Sequence, residues 1–281
     1  MSLQFQCITC GAAFDDRRVG LFACNTCGEK YEIAEGYLKT QFDKKLFNSF
    51  RKDYLLNKVL NNNGYISYQQ LQEGSISLPE REDVIRFRNF LRNNLYGRRI
   101  LDMGCGVMET PGYLMLNYSD QYELIGLDPI DDNNFSGFRI VGCSEFVPLP
   151  DECIDTVIFA TSMDHVCNLK KTINETQRLL CYDGKVIVWM SDRSAHTFDR
   201  LKNWLRRRRD SWRLGYSVDK YYVYPNWTVL GVPLGGVDPF HSYLETPRKI
   251  IRLFSNAGMK LTAQERHSNV EVFLSFEKTA T

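Results

Sequence analysis

Arg98-Arg99-Ile100-Leu101-Asp102-Met103-Gly104-Cys105-Gly106 is a short apolar run that ends in an acid and two glycines one residue apart. Such a run reads as a buried strand breaking into a tight turn, where residues lacking a side chain let a ligand approach the backbone. Asp128 lies 22 residues past Gly106 and ends a second apolar run, Leu124-Ile125-Gly126-Leu127-Asp128. A carboxylate at that place can accept both hydroxyls of a ribose. Arg139–Gly142, Ile154–Ala160 and Lys185–Met190 read as further strands, with a helix over Leu169–Leu180 and a turn at Asp183-Gly184. Thr246-Pro247 opens a last helix that Gly258 closes, and Met259–Arg266 and Val270–Phe276 read as the final strands. The predicted fold is α/β, a doubly wound and mostly parallel sheet.

On spacing alone, a nicotinamide dinucleotide enzyme fits this pattern. Against it, Val107, Met108 and Glu109 follow Gly106, so the third glycine of G-x-G-x-x-G is missing and a diphosphate would lose its close backbone approach.

Upstream, four cysteines form two C-x-x-C-Gly knuckles, Cys7-Ile-Thr-Cys10-Gly11 and Cys24-Asn-Thr-Cys27-Gly28, with 13 residues between them. Two thiolates three residues apart can take two corners of a tetrahedron, and the glycine lets the chain leave the turn with positive φ. Two knuckles complete a closed four-cysteine site, which suits a structural zinc rather than a catalytic one. A redox C-x-x-C is the competing reading, but the pairs lack a βαβ context. Residues 1–40 are therefore predicted to be a zinc ribbon, with Tyr31, Ile33 and Tyr37 closing a small core. Metal binding would supply most of the folding energy of so short a segment.

Residues 41–97 read as a helical linker or lid. Phe42, Leu46, Phe50, Tyr54, Leu56 and Leu60 recur at helical spacing before Asn61-Asn62-Asn63-Gly64 breaks the run. A second helix is predicted from Pro79, capped by Ser77, with Val84, Phe87, Leu91 and Leu95 facing a core. Residues 98–281 hold the strand–helix pattern, interrupted at about 192–245 by an insertion rich in aromatic and basic residues.

Composition narrows the function. The chain has 281 residues, 43% of them hydrophobic, and 35 Lys+Arg stand against 34 Asp+Glu for a net charge of +1. That excludes a long disordered chain and a globally basic nucleic-acid binder. No apolar run approaches the roughly 18 residues of a membrane span, and the first residues lack the pattern of a signal peptide. A cytoplasmic protein is expected. Of nine cysteines, the five outside the knuckles stand singly. Cys105, Cys153, Cys167 and Cys181 read as small buried hydrophobes.

The stretch over roughly residues 98–277 resembles the class I S-adenosylmethionine-dependent methyltransferases, with their Rossmann-like sheet. Ile100–Gly106 is similar to that family's first motif, whose loop wraps the methionine part of the cofactor. Gly126-Leu127-Asp128-Pro129 is similar to the second, whose acid holds the ribose. Gly142-Cys143-Ser144-Glu145 with Val147–Asp151, then Ile154–Val157, resemble the third block and the fourth strand. Asn174–Leu180 with Asp183-Gly184-Lys185 looks like the helix-turn-strand that follows. The resemblance implies S-adenosylmethionine as cofactor, held by Asp102, Gly104, Cys105, Gly106, Asp128, Pro129, Cys143, Ser144, Ala160 and Thr161. Two departures stand out. Met108 replaces the first motif's third glycine, and Cys143 replaces the acid that commonly reads the adenine amino group, leaving backbone groups near Cys143 and Ser144 for that task.

Pro111–Leu114, Asp164-His165-Val166 and Asp238-Pro239-Phe240-His241 are further similar to methyltransferases found with bacterial cell-surface polysaccharide genes. The resemblance implies a small or glycan-like acceptor, sugar or nucleotide-linked, methylated at oxygen, with the 192–245 insertion as its lid. His165 and His241 are the candidate bases, with Asp164 as a further candidate. His196 and His267 read as surface or loop residues.

A second reading is an RNA base methyltransferase. Arg206-Arg207-Arg208-Arg209 with Trp204, Trp212, Arg213, Tyr221, Tyr222, Tyr224 and Trp227 would stack bases and hold phosphates. The small net charge counts against it. So does Ala160-Thr161-Ser162-Met163, which stands where amino-group methyltransferases carry Asn/Asp-Pro-Pro-Tyr/Phe. A third reading is a cofactor-binding scaffold without catalysis.

Overall fold

The computed structural model describes residues 4–15, 19–51, 54, 80–116, 121–131, 134–192, 208–209, 212, 228–229, 232–233, 245–267 and 271–279. Strands β6 (Arg99–Met103), β7 (Glu123–Asp128), β8 (Phe138–Val141), β9 (Ile154–Ala160) and β10 (Leu180–Ser191) form the parallel centre of a sheet, closed on one side by the antiparallel hairpin β13 (Met259–His267) and β14 (Glu271–Lys278). Each parallel step joins apolar runs whose alternate residues face opposite layers, as the period-2 geometry of a strand requires. On β9, Val157 and Phe159 enter one core cluster while Ile158 enters the other.

Two helices cover the first face. Helix α3 (Leu169–Leu179) starts where the Asn168 side chain accepts from the Lys171 amide, and α4 (Pro247–Asn256) starts where the Thr246 side chain accepts from Lys249. Both are N-capped by residues that satisfy an otherwise orphaned amide. Leu169, Ile173, Ile250 and Phe254 join the core below them. On the second face lies α2 (Glu82–Asn94), whose Phe87 ring sits 5.1 Å from Trp189 and 5.2 Å from Phe273. Val84, Phe87 and Leu91 are buried as predicted, but α2 begins at Glu82 rather than at Pro79; Ser77 and Pro79 lie outside the described residues. The expected Asp183-Gly184 turn is instead an irregularity inside β10. The strand begins directly at Leu180, its register to β9 shifts between Leu180 and Lys185, and Asp183 takes a φ of 60°.

The amino-terminal segment is built into this sheet. The hairpin β1 (Gln4–Gln6) and β2 (Ala13–Asp15) packs beside strands β3 (Gly20–Ala23), β4 (Lys30–Ala34) and β5 (Tyr37–Thr40), and β5 pairs in parallel with β8. The result is ten strands in the order β13-β14-β10-β9-β6-β7-β8-β5-β4-β3. Phe5 is fully buried with its ring 5.4 Å from Phe138, the Gln6 amide donates to the Pro148 carbonyl at 3.0 Å, and Tyr31, Ile33 and Leu38 share one apolar cluster with Leu101 and Ile140. Tyr31, Ile33 and Tyr37 are buried, as expected.

Parallel pairing has a positional consequence. Ligand sites in such sheets lie at the carboxyl ends of the parallel strands, and β5 ends on that same side. From Thr40 the chain passes straight into helix α1, residues 42–51, which therefore stands over the ligand edge. A two-residue strand pair, β11 (Thr228–Val229) with β12 (Val232–Pro233), is described within the insertion. No helix among the described residues is long and apolar enough to cross a membrane.

Candidate functional site

A cleft of about 460 Å³ opens at the carboxyl ends of β6, β7 and β9, a size suited to a drug-sized ligand. The walls include Gly104 and Asp128–Asp131 from the first two turns, Gly142–Glu145 after β8, Ala160–Ser162 with His165–Cys167 after β9, and Phe42, Asp43, Leu46 and Tyr54 from the α1 region.

Gly104 is required by geometry. It sits at φ +90°, and a Cβ there would come within 2.3 Å of the Ser162 Cβ. Ser162 in turn hydrogen-bonds the Met103 carbonyl through Oγ, so the turns after β6 and β9 are fastened together. Thr161, φ +58°, is a β-branched residue in the left-handed region at the cleft's edge, held by its amide to the Trp189 carbonyl at 3.0 Å.

Asp128 accepts from the Gly106 amide at 3.0 Å on one oxygen and from the Ile130 amide at 2.9 Å on the other. A carboxylate offers about four acceptor directions, so lone pairs remain toward the cleft for a pair of hydroxyls. Burial pushes its carboxyl above the usual range, with the Arg139 charge and the two amides opposing the rise. His165 lines the same cleft, with Nε2 3.5 Å from Asp164 Oδ1.

Residues 101–188 match a family described as a methyltransferase domain. Residues 101–188 thus form a methyltransferase domain. By structure the chain is similar to a Burkholderia thailandensis 1,6-didemethyltoxoflavin-N1-methyltransferase, at a TM-score of 0.52 and 8% identity, over 93% of this chain and 100% of that one. It is also similar to a Methanosarcina mazei S-adenosylmethionine-dependent methyltransferase, at 0.49 and 13%, over 68% and 98% of the two chains. A protein from Pyrococcus horikoshii aligns at 0.46 and 19%, over 70% and 89%. No curated protein matches the chain in sequence.

The methyltransferase domain brings Gly104, Asp128, Pro129, Cys143, Ser144, Ala160, Thr161 and His165 to one cleft. Asp102, Cys105 and Gly106 stand behind its wall rather than on it. Asp102 is 1% exposed; one oxygen accepts from Tyr113 at 2.8 Å and the other, fully buried, has no hydrogen-bond partner among the described residues. Burial pushes the Asp102 carboxyl up to about 7, with the Tyr113 hydrogen bond opposing the shift and the Asp128 charge adding to it. Asp164 lines a separate small crevice with Met163, Trp189 and Glu245. His241, His196, Arg206, Arg207 and most of the aromatic insertion lie outside the described residues; Arg208, Arg209 and Trp212 are exposed.

The chain's own residues fit S-adenosylmethionine: a turn kept open by glycine, a carboxylate with acceptor capacity left over, and a cleft of the right size. Bound there, the cofactor supplies an electrophilic methyl group. Asp128 would hold the ribose, and the turn at Gly104–Gly106 would face the methionine part.

The four amino-terminal cysteines also converge. All their sulfurs lie within 4.8 Å of one another, with Cys7–Cys27 at 3.5 Å and Cys10–Cys24 at 3.6 Å. Tetrahedral zinc with bonds of about 2.3 Å places its sulfurs roughly 3.8 Å apart, so the donor set fits a metal ion. Gly11 and Gly28 take φ of 75° and 74°, as the knuckles demand. Amides of Thr26 and Cys27 donate to the Cys24 sulfur and lower its thiol pKa. The Tyr31 hydroxyl donates to the Cys7 sulfur at 3.1 Å and accepts from the Ile8 amide at 2.9 Å, orienting that ligand from behind.

Sequence reading missed Arg139. Its guanidinium, 2% exposed, donates to the Cys105 sulfur at 2.6 Å, the Gly106 carbonyl at 2.8 Å and the Ile130 carbonyl at 2.9 Å. One side chain thus braces the turns after β6 and β7. A charge at an inward position of an apolar strand was the available signal. Asp131 was missed too. It lines the cleft, accepts from Tyr37 at 2.6 Å and pairs with Lys39.

Proposed function

We propose that the enzyme transfers a methyl group to a hydroxyl of a small, uncharged, sugar-like acceptor, with His165 as the base. The carrying observation is the placement of His165 in the Asp128 cleft with Asp164 3.5 Å from its Nε2. A hydroxyl stays protonated near neutral pH, so a base must take its proton as the carbon–oxygen bond forms. The Asp164 carboxylate orients the imidazole and stabilises the imidazolium that results. His241, outside the described residues, remains the second candidate for the same role.

Charge supports an uncharged acceptor. The cleft wall carries Asp43, Asp128, Asp131 and Glu145, with no lysine or arginine lining it among the described residues. A diphosphate-linked sugar or an RNA phosphate would meet repulsion there. We also propose that Cys7, Cys10, Cys24 and Cys27 hold one structural zinc, since a closed set of four sulfurs leaves no position for a substrate.

The test is methyl transfer from radiolabelled S-adenosylmethionine to four acceptor panels: neutral glycosides, nucleotide sugars, RNA and amines. Label is expected in the neutral glycosides. Labelling confined to RNA or to amines would overturn the assignment.

A further inference from the structure

We infer that Tyr37 is a positioning residue for the cofactor cleft, and that through its contact with Asp131 the metal held by the cysteine cluster and the bound cofactor strengthen each other's binding. This rests on the S-adenosylmethionine and zinc readings given above.

The connection is short. Tyr31, whose hydroxyl is 3.1 Å from the Cys7 sulfur, pairs with Thr40 in the β4–β5 register. On β5, Tyr37 and Lys39 both reach Asp131, which lines the cleft three residues after Asp128. The same strand is fixed to β8 by the Arg139 amide, which donates to the Gly36 carbonyl at 2.7 Å, and by the Thr40 hydroxyl, which donates to the Val141 carbonyl at 3.2 Å. So the cysteine cluster, the loop at Asp128–Asp131 and the start of α1 share one strand.

The two contacts differ in weight. Lys39 and Asp131 have side chains 40% and 54% exposed, and such pairs contribute little in water. Tyr37 is 7% exposed, so its hydrogen bond to the Asp131 carboxylate is the better-shielded tie. Losing the metal would release β3–β5 from the end opposite β8, and with them Tyr37, Asp131 and the entry to α1. Neither the four amino-terminal cysteines nor Tyr37 line the cleft, which makes this an effect at a distance. An equilibrium coupling of this kind is reciprocal: if the metal tightens cofactor binding by some factor, the cofactor tightens metal binding by the same factor.

Reciprocity gives a test on the unmodified, zinc-loaded full chain. Zinc transfer to a chromophoric chelator is titrated with and without saturating S-adenosylhomocysteine. The product is expected to raise the chelator concentration needed by about fivefold or more, the lower end of ordinary coupling. In Asp131→Asn and Tyr37→Phe, each still carrying one zinc, that factor should fall toward one. Zinc release indifferent to the product in the unmodified protein overturns the inference. Protection that persists undiminished in both variants does so too, since it would report general stabilisation by a ligand. Calorimetry separates the failures. If the unmodified protein does not bind the product, the cofactor reading falls and takes this inference with it; if it binds and no coupling appears, only the inference falls.

Discussion

Arg139 Nη1 lies 2.8 Å from the carbonyl oxygen of Gly106, and the guanidinium that makes this contact is 2% exposed. The same group reaches the Ile130 carbonyl at 2.9 Å, so it ties the first glycine turn to the loop after Asp128. Its charge also opposes the burial of Asp102 and Asp128. Arg139→Met keeps apolar volume but leaves those two acids without their cation. Removing one partner from a buried charge arrangement typically costs about 3–5 kcal/mol. Urea unfolding should show a loss of that order, with S-adenosylhomocysteine binding weakened at least tenfold wherever the variant stays folded. Stability within about 0.5 kcal/mol of the parent would refute the bracing role.

Asp128 carries a separable prediction. Asp128→Asn retains a carbonyl that can accept from one amide, so the loop should survive, but it loses the charge that strengthens hydrogen bonds from a ribose. Bonds to charged groups contribute about 1.5–3 kcal/mol. Calorimetry should find cofactor affinity reduced by about tenfold or more with the thermal transition little changed. Unaltered affinity would remove Asp128 from the ribose site.

Part of the cleft is legible in the sequence. Gly104 and Asp128, singled out because a tight turn and a strand-end acid impose local residue types, do line the cleft, whereas Asp102 and Gly106 stand behind its wall. β9 matches its sequence reading residue for residue, and the α4 caps behave as Thr246 and Pro247 suggest. What stayed hidden is non-local. Nothing in Tyr37–Thr40 states that it pairs with Phe138–Val141, some hundred residues away, or that the pairing is parallel. That single choice carries α1 to the cleft and Tyr37 to Asp131. Arg139 stayed hidden for the same reason: its three partners come from two other turns.

The cysteine cluster yields a metal prediction. Purified protein should contain one zinc per chain, and Cys24→Ser should lose it. Because β3–β5 continue the main sheet, that loss should also lower the thermal midpoint of the whole chain rather than melt a separate module. The expectation from motif spacing alone, an independent ribbon, would leave the main transition unmoved. Differential scanning calorimetry with metal analysis decides between them.

Asp102 gives a pH dependence of unusual sign. An unfolded aspartate titrates near 3.9, whereas burial pushes this one up to about 7. Between those values the folded chain holds a proton that the unfolded chain has released. Stability therefore falls as pH rises through this window, by up to about 1.4 kcal/mol per unit for one group. Above it the full penalty persists, and below about 4 none remains. Asp102→Asn is neutral throughout and should flatten that slope in urea unfolding measured from pH 4.5 to 7.5. An equal slope in both proteins would assign the pH dependence elsewhere.

His165 carries the chemical prediction. Its backbone is set by the turn after β9, where its amide donates to the Ser162 carbonyl at 3.1 Å, so the imidazole projects from a segment already fastened to Met103 through Ser162. Rigid placement is what a base needs, because proton removal must keep pace with bond formation at the acceptor oxygen. Losing a general base typically costs about 10²–10⁴ in rate. His165→Ala should lower turnover by that range while cofactor affinity, which we assign chiefly to Asp128, changes little. His165→Gln separates chemistry from packing: it fills the space and can hydrogen-bond an acceptor but cannot take its proton. If His165→Gln restores turnover, the residue positions the acceptor and the base lies elsewhere. If it stays as slow as His165→Ala and the acid limb of the pH–rate profile disappears in both, proton removal is the role. Asp164→Asn should then cost less than either, because it removes the orienting charge and leaves the base in place.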